Sequence, residues 1–402
     1  MNKIINISLL VLLILSCNQE VDPPKIEEEP SNNEGEVPTL QGLEMVQVTN
    51  SSAIFDSKVE NDGGYAVLER GVCFMEGDGV PTLENHYIEA SSVKGSGEFS
   101  ASLNALNDGI KYSARAYAVN EIGVGYGEKL KFETPAADKP EVETGVKYIS
   151  AAHSIHLRVA LNNDGGFPIT EKGVCWDLEP SPSIDEEVIE MGNGMNSFLA
   201  EIKGLDPEKK YYLRAYAKNE KGVSYGNTLE VTTRKKGNIT FTLHEDPNPS
   251  TELQENYDRI KEAFKKAVEY YNSYTSIEKH INVYYNPGVP TADGNINGTI
   301  RIGSNVSYQR TGTAMHEIAH VVGVGTHWKW GELIQGGTYV GPRANEIIQI
   351  LSGDNNSILR GDGTHFWPYG INGAHEDSGS PELYIWHALI MQGMKDDGLP
   401  SF

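Results

Sequence analysis

The sequence has little cysteine, few basic residues and no apolar run long enough to span a membrane. Three cysteines in 402 residues cannot staple a chain of this size through disulfides. Acidic residues outnumber basic ones 56 to 33, giving a net charge of −23, and such a surface repels phosphate backbones, which argues against nucleic acid as a partner. The apolar stretch from Ile4 to Leu15 is shorter than the roughly 20 residues of a spanning helix.

The overall composition is that of a globular protein with several domains. Hydrophobic residues make up 39% of the chain and charged residues 22%, which excludes both wholesale disorder and a polytopic membrane protein. At about 100–200 residues per domain, the length predicts two to four domains.

The first 17 residues have the features of a signal peptide. Lys3 gives a positive start, the apolar stretch follows, and the segment ends in Ile14-Leu15-Ser16-Cys17. This ending resembles a bacterial lipoprotein lipobox. The resemblance implies acylation of Cys17 and a lipid anchor as the only membrane attachment, at the outer membrane or cell surface. Residues 18–38 are rich in proline and acids, which predicts a flexible linker.

The next 200 residues contain one domain twice, at 39–136 and 137–236, here called the first and second β modules. The offsets between the copies are 102 (163−61) early and 99 (214−115) late, so the repeat is a whole domain. The repeated segments are Asn61-Asp62-Gly63-Gly64 with Asn163-Asp164-Gly165-Gly166, Gly71-Val72-Cys73 with Gly173-Val174-Cys175, and Arg115-Ala116-Tyr117-Ala118 with Arg214-Ala215-Tyr216-Ala217.

Both modules have short alternating segments between turn signals, which favours antiparallel sandwiches. Tyr112 and Tyr211 each follow a leucine by six residues, a spacing that resembles the tyrosine corner. The modules resemble fibronectin type III domains of Bacteroidetes-type surface lipoproteins, which implies two all-β sandwiches. Cys73 and Cys175 are predicted to be buried and unpaired. Without a cluster of titratable groups, the modules are predicted to act as spacers.

Residues 237–402 are predicted to form an α/β domain. Residues 238–244, 280–286 and 299–302 have strand patterns. A long helix is predicted after Pro249, with Thr251 and Gln254 as a capping box.

This domain contains the segment His316-Glu317-Ile318-Ala319-His320. Positions i and i+4 lie on one face of a helix, so the two imidazoles can point at a single ion. Neutral nitrogen ligands keep the metal Lewis-acidic, and Glu317 stands ready to take a proton from water. This is the His-Glu-x-x-His motif of zinc peptidases. With Gly323 it resembles the metzincin clan, which implies one catalytic Zn²⁺ and Glu317 as general base.

The third metal ligand stays open at this stage, with His365 favoured over His327. His365 follows His320 by 45 residues (365−320), and the order of motifs resembles leishmanolysin-like metzincins, in which an insertion precedes the third histidine. The insertion would run from about 330 to 362, with residues 344–351 as its helix. His327 would reach the metal if the turn containing Gly325 bulges.

Other ligands and site residues are weaker alternatives. Glu346 resembles the glutamate ligand of thermolysin-type enzymes, but its gap of 26 residues from His320 (346−320) is long. The lone histidines His375 and His387 lack matched spacing and are predicted not to be ligands. A methionine turn is not evident, since Met391 and Met394 lie in a predicted helix over 386–397.

The environment of the site is also predicted. The strand near Ile300 would pair with extended substrate, and Tyr369 would either stabilise an oxyanion or pack beside Trp367. Five aromatic residues are placed near the cleft: Trp328, Trp330, Phe366, Trp367 and Tyr369.

Together these features predict a surface-anchored, monomeric zinc endopeptidase acting on a protein or glycoprotein substrate. The alternative is a non-catalytic adhesin or polymer-binding lipoprotein with a degenerate peptidase fold. The intact Glu317 argues against that alternative, because a pure binder has no need for a carboxylate there.

Overall fold

A computed structural model describes residues 35–90 and 95–400, which divide into two compact units. One unit holds most of the first β module up to Glu133, and the other holds residues 134 onward with the short segments 49–51 and 106–110. The predicted signal peptide with Cys17, and most of the predicted linker, lie outside the described residues. In the described part of the chain, no helix is long and apolar enough to cross a membrane.

The first β module consists of two antiparallel sheets. One has the order β1-β3-β2 with β6 also paired to β3, and the other has β5-β4-β7-β8 with β9 also paired to β7. Alternation in β3 and β6 puts Phe55 and Phe99 inside. The strands are β1 (Thr39–Leu40), β2 (Glu44–Val48), β3 (Ser52–Asn61), β4 (Glu69–Glu76), β5 (His86–Glu89), β6 (Gly97–Asn104), β7 (Lys111–Val119), β8 (Val124–Tyr126) and β9 (Leu130–Glu133).

The second β module repeats this pairing. Its sheets have the orders β10-β12-β11 with β15, and β14-β13-β16-β17 with β18. The hydroxyl of Tyr211 accepts a hydrogen bond from the backbone N–H of Asp206 at 3.0 Å. The strands are β10 (Glu141–Glu143), β11 (Tyr148–Ser150), β12 (Ser154–Asn163), β13 (Glu171–Asp177), β14 (Glu187–Glu190), β15 (Phe198–Lys203), β16 (Lys210–Asn219), β17 (Gly222–Tyr225) and β18 (Leu229–Thr232).

Two coarse predictions are confirmed by these sheets. The protein is a β-rich, multidomain chain with some helices. Cys73 and Cys175, the two cysteines in the described part, are buried and free, and burial raises the pKa of each thiol to about 11. Both therefore behave as small core residues.

The C-terminal domain (237–402) packs helices against a four-stranded sheet of order β19-β20-β22-β21. A second small sheet has the order β23-β24-β25-β26. The elements are β19 (Asn238–His244), α1 (Thr251–Tyr274), β20 (Glu278–Tyr285), β21 (Ala292–Asn295), β22 (Thr299–Ile302), a 3₁₀ turn (Val306–Tyr308), α2 (Thr311–Val321), α3 (Trp328–Leu333), β23 (Ile334–Gln335), β24 (Thr338–Tyr339), α4 (Pro342–Ser352), β25 (Arg360–Gly361), β26 (Phe366–Trp367) and α5 (Pro381–Asp396).

Helix α1 begins one residue earlier than the predicted capping box requires. The N-cap is Ser250, whose hydroxyl accepts from the backbone N–H of Leu253 at 3.1 Å. The prediction of Thr251 as the cap was therefore wrong, because two adjacent hydroxyl residues give the same local signal. The helix buries one apolar stripe against the sheet, as its spacing predicts: Tyr257, Ile260, Phe264, Ala267 and Tyr271.

The edge of the main sheet differs from the prediction. The strand containing Ile300, β22, pairs with β20 in parallel and with β21 in antiparallel. Both of its edges are occupied, so it cannot receive a substrate strand, and that prediction was wrong. The two edge strands are β19 and β21. The sequence of β21, Ala-Asp-Gly-Asn, lacks the apolar alternation by which a strand is recognised.

One hydrophobic core continues across the predicted boundary between residues 236 and 237. Ile149 and Ala151 of the second β module belong to the same buried cluster as Ile260 and Phe264 of α1. The second β module and the C-terminal domain therefore form one packed body.

Candidate metal centre

Helix α2 presents His316 and His320 on one face, as the i, i+4 spacing predicts. Their Nε2 atoms lie 3.0 Å apart. The Nδ1 atom of His316 is 2.9 Å from the carbonyl oxygen of Gly370, and Nδ1 of His320 is 2.8 Å from that of Val324. Because a carbonyl oxygen can only accept, both Nδ1 atoms carry the proton, and both Nε2 atoms present lone pairs to each other.

This arrangement suits a cation. Burial, followed by the neighbouring His320, lowers the pKa of His316 to about 3, and burial also lowers the pKa of His320, so neither ring gains a bridging proton at neutral pH. Two facing lone pairs repel unless a positive ion lies between them. Zinc–nitrogen bonds of about 2.0–2.1 Å in a tetrahedron separate two nitrogens by about 3.3 Å, close to the observed distance, so the residues fit the ion.

His365 is the third member of the cluster. One ligand atom from each of His316, His320 and His365 lies within 4.8 Å of the others. The ring of His365 has its centroid 5.4 Å from that of His316 and 5.6 Å from that of His320. Its loop is fixed by the carboxylate of Asp362, which accepts from the backbone N–H groups of Thr364 and His365 at 2.7 Å each.

The chain leaves α2 through a tight turn that lets this loop approach. Gly323 has φ +116° and Gly325 has φ +65°, backbone conformations that glycine adopts without strain. A side chain at Gly325 would place its Cβ 2.5 Å from the carbonyl oxygen of Thr364. The hydroxyl of Thr326 donates to the carbonyl oxygen of His320. The turn at Gly323 and Gly325 therefore lets the loop of His365 lie close to the helix.

The two alternative ligands, His327 and Glu346, and the two lone histidines, predicted not to be ligands, lie elsewhere. His327 is the N-cap of α3, where its Nδ1 accepts from the backbone N–H of Lys329 at 3.2 Å. Glu346 pairs with Arg343 at 3.3 Å on α4. His375 is exposed, and His387 is fully buried, with Nε2 3.0 Å from the hydroxyl of Tyr271. None of the four belongs to the histidine cluster.

Glu317 lies beside the cluster with an unusual environment. Its side chain is buried, and among the described residues Oε2 has no hydrogen-bond partner. Burial first, and the charge of Asp293 second, raise the pKa of Glu317 to about 8. A side chain at Gly294 would bring its Cβ within 3.2 Å of this Oε2 and 2.6 Å of the Glu317 carbonyl oxygen. Strand β21 can therefore pass this close only because residue 294 is glycine.

A cavity of about 330 Å³ opens onto these groups. Its wall contains the three histidines, Glu317, Thr291 and the first three residues of β21. Most other side chains in the wall are small, with Ile371 and Tyr308 as the larger ones. Tyr308 was missed by the sequence analysis, since a lone tyrosine before the helix carries no periodic or motif signal. The three histidines and Glu317 therefore share one cavity.

The five aromatic residues predicted near the cleft are not part of the cavity wall, although the ring of Trp367 lies 6.2 Å from that of His365. Tyr369 packs against Trp386 with ring centroids 5.0 Å apart, whereas the predicted packing partner was Trp367. Met391 and Met394 are buried in α5, as predicted for core residues.

Comparisons with known proteins assign this chain to no family. No family model matches the chain, and no curated protein matches it. A solved structure described as "Myokine structure" is 18% identical over 25% of this chain and 99% of its own, with a TM-score of 0.20. A score that low carries no argument about fold or function.

Proposed function

We propose that the protein is a zinc-dependent endopeptidase with its active site at His316, His320, His365 and Glu317. One observation carries the proposal. One ring nitrogen of each of three imidazoles lies within 4.8 Å of the others, and two of them have facing lone pairs. A buried carboxylate oxygen without a partner among the described residues lies beside them, and all four side chains line one cavity. A structural histidine pair would instead place each ring nitrogen on a protein donor or acceptor.

The three histidines would hold the ion through neutral ring nitrogens, and the carbonyl oxygens of Gly370 and Val324 fix the orientation of two of them. When bound, zinc supplies Lewis acidity, which lowers the pKa of water and stabilises negative charge on a carbonyl oxygen. Glu317 would accept the proton of the attacking water at its carboxylate and pass it to the nitrogen of the leaving amine.

Strand β21 is the proposed binding strand for substrate. Asp293 and Gly294 line the cavity, and within the described residues β21 pairs with β22 alone. Its free edge offers backbone N–H and C=O groups to an extended peptide, which would lie across the histidines in antiparallel or parallel pairing. The small side chains around the cavity leave room for the scissile segment.

The proposal also covers the fold families of the three domains and the location of the protein. We take each β module to be fibronectin type III-like, supported by the two antiparallel sheets in each and, in the second module, by the Tyr211 hydrogen bond to backbone. The C-terminal domain is proposed to be metzincin-like, supported by the edge strand, the helix and the glycine turn. Lipid attachment at Cys17 and a location at the outer membrane or cell surface stay predictions, as does the monomeric state.

A cleavage assay with chelation and metal restoration tests the proposal. The full chain is incubated with a denatured protein substrate, and new N-termini are identified by mass spectrometry. Cleavage should stop after chelation and return with one equivalent of zinc. Cleavage that persists unchanged after complete metal removal would contradict the proposal. Zinc binding without cleavage of any protein substrate would favour the non-catalytic adhesin.

A further inference from the structure

An outward-facing cross-strand pair of residues differs between the two β modules. In the first module Asp56 of β3 lies opposite Ser100 of β6, and both side chains are exposed. The same cross-strand pair in the second module, at the repeat offsets of 102 and 99, is Arg158 opposite Leu199. Both of these side chains are only partly exposed. The repeat has therefore acquired a long cation and an apolar residue where the other copy is small and polar.

Arg158 caps the C-terminal end of helix α4. Its Nε donates to the carbonyl oxygen of Ile350 at 2.8 Å, and its Nη2 donates to that of Leu351 at 2.6 Å. These are carbonyl groups that a helix end leaves without intrahelical partners, and a cation there also complements the helix dipole. Gly353 ends the helix at φ +76°, and a Cβ on it would lie 2.8 Å from the guanidinium carbon. Glycine therefore admits the arginine.

Other contacts fix the second β module to the same body. Leu199 packs against the core of the C-terminal domain. Arg234 donates from Nε to the carbonyl oxygen of Ser150 and from its two terminal nitrogens to the carboxylate of Asp396 in α5. This bidentate pair and the shared core therefore join residues of the second β module to the C-terminal domain, across the predicted boundary between residues 236 and 237.

Helix α4 in turn holds the chain that leads to His365. The side chain of Asn345 accepts from the backbone N–H of Leu359 at 2.8 Å and donates to the carbonyl oxygen of Tyr339 at 2.9 Å. Leu359 directly precedes β25, and β25 runs into Asp362, whose carboxylate fixes the His365 loop. The contacts therefore form a connected route from Arg158 to the third histidine.

We propose that the second β module is part of the catalytic unit, and that Arg158 is a positioning residue that holds α4 and thereby the His365 segment in place. The positioning role rests on the proposed metal site. Arg158 touches neither the histidines nor the cavity, so it acts only through α4.

The test measures zinc affinity and urea unfolding on the full chain with matched variants. Arg158→Ala should raise the Kd for zinc on the order of 3- to 10-fold and lower the midpoint of the unfolding transition. Arg158→Lys should recover only part of the zinc affinity and of the unfolding midpoint, since an ammonium lacks the planar guanidinium geometry that reaches two carbonyl groups. Asp56→Ala, at the equivalent position of the first module, should change neither. Val174→Ala, in the core of the second module, should lower the midpoint without weakening zinc binding.

Two results would overturn the positioning role. One is a zinc affinity in Arg158→Ala equal to that in Asp56→Ala. The other is equal weakening in Arg158→Ala and Val174→Ala, which would mean that general destabilisation suffices. If the unaltered chain binds no zinc, the metal site itself fails. In that case a midpoint lowered in Arg158→Ala but not in Asp56→Ala would still show that the module is docked onto the domain.

Discussion

Replacing Glu317 by glutamine separates the chemistry proposed for this residue from its effect on stability. Glutamine keeps the size of the side chain and removes the proton acceptor. The carboxylate is buried, and its Oε2 has no partner among the described residues, so the unaltered protein buries a group that is costly to ionise. The substitution should therefore lower activity while making the metal-free chain more stable.

The size of the stability effect follows from the raised pKa. Burial and Asp293 raise the pKa of Glu317 from 4.5 to about 8 in the metal-free chain. The folded state then holds the proton more tightly than the unfolded state, so this contribution to stability is full below pH 4.5 and is lost as the pH rises toward 8. At about 1.4 kcal/mol per pH unit, the loss by pH 7 is on the order of 3 kcal/mol. Glu317→Gln should abolish it.

The assay compares urea unfolding of the chelated proteins at pH 4.5 and pH 7, together with the rate of substrate cleavage by the zinc-loaded proteins. Glu317→Gln should match the unaltered chain at the lower pH and exceed it at the higher pH. Its kcat should fall by about 10²- to 10⁴-fold, the usual contribution of a general base, while one zinc stays bound. Glu346→Gln is the matched control, because this glutamate pairs with Arg343 on α4 outside the cavity, and neither quantity should change.

Two outcomes would refute this reasoning. Cleavage by Glu317→Gln at the rate of the unaltered chain would remove the residue from the mechanism. A stability difference at pH 7 no larger than that at pH 4.5 would show that Glu317 is not held in a desolvated site, and the geometry of the cavity would then be wrong.

Three further predictions concern the ligands, the acid response and the edge strand. His365→Ala should release zinc in a dialysis assay. His327→Ala should keep the metal and cost about 1 kcal/mol of unfolding free energy through the lost helix cap. The reverse pattern would identify His327 as the ligand. Burial lowers the pKa of His156 to about 4, so its contribution to stability is full above pH 6.5 and is lost as the pH falls toward 4. His156→Gln should therefore reduce the loss of unfolding free energy at acid pH by up to about 3 kcal/mol. An unchanged loss at acid pH would contradict this. Gly294→Ala places a methyl group 2.6 Å from the carbonyl oxygen of Glu317. It should reduce the rate of cleavage at least about tenfold by displacing β21. Gly331→Ala, whose methyl group would meet nothing within 4 Å, should leave the rate unchanged.

Features with a local signal could be predicted from the sequence. The spacing of His316 and His320 defines a helix face, and a glycine at 323 follows where the chain must turn with positive φ. Alternation and turn residues defined the two β modules, and the repeat itself showed that they share one pairing scheme. The helix cap was displaced by one residue, because Ser250 and Thr251 are adjacent hydroxyl residues and either type can cap a helix start.

Features set by tertiary contacts could not be predicted in this way. Strand β21 has no apolar alternation, and its place depends on pairing with β22 and on the absence of a side chain at Gly294, which lets it approach Glu317. Docking of the second β module also lacks a local pattern. A comparison of the two copies could have found it, because Arg158 replaces the exposed Asp56 at an otherwise equivalent position.

The most direct test of the central claim is the zinc content of the purified chain, measured by elemental analysis after dialysis against a weak chelator. The account predicts one zinc per unaltered chain and none in His320→Ala, since removing one of three imidazoles leaves the ion with only two protein ligands. An unaltered chain that binds no zinc, or a His320→Ala variant that retains it, would contradict the claim that these histidines form a metal centre.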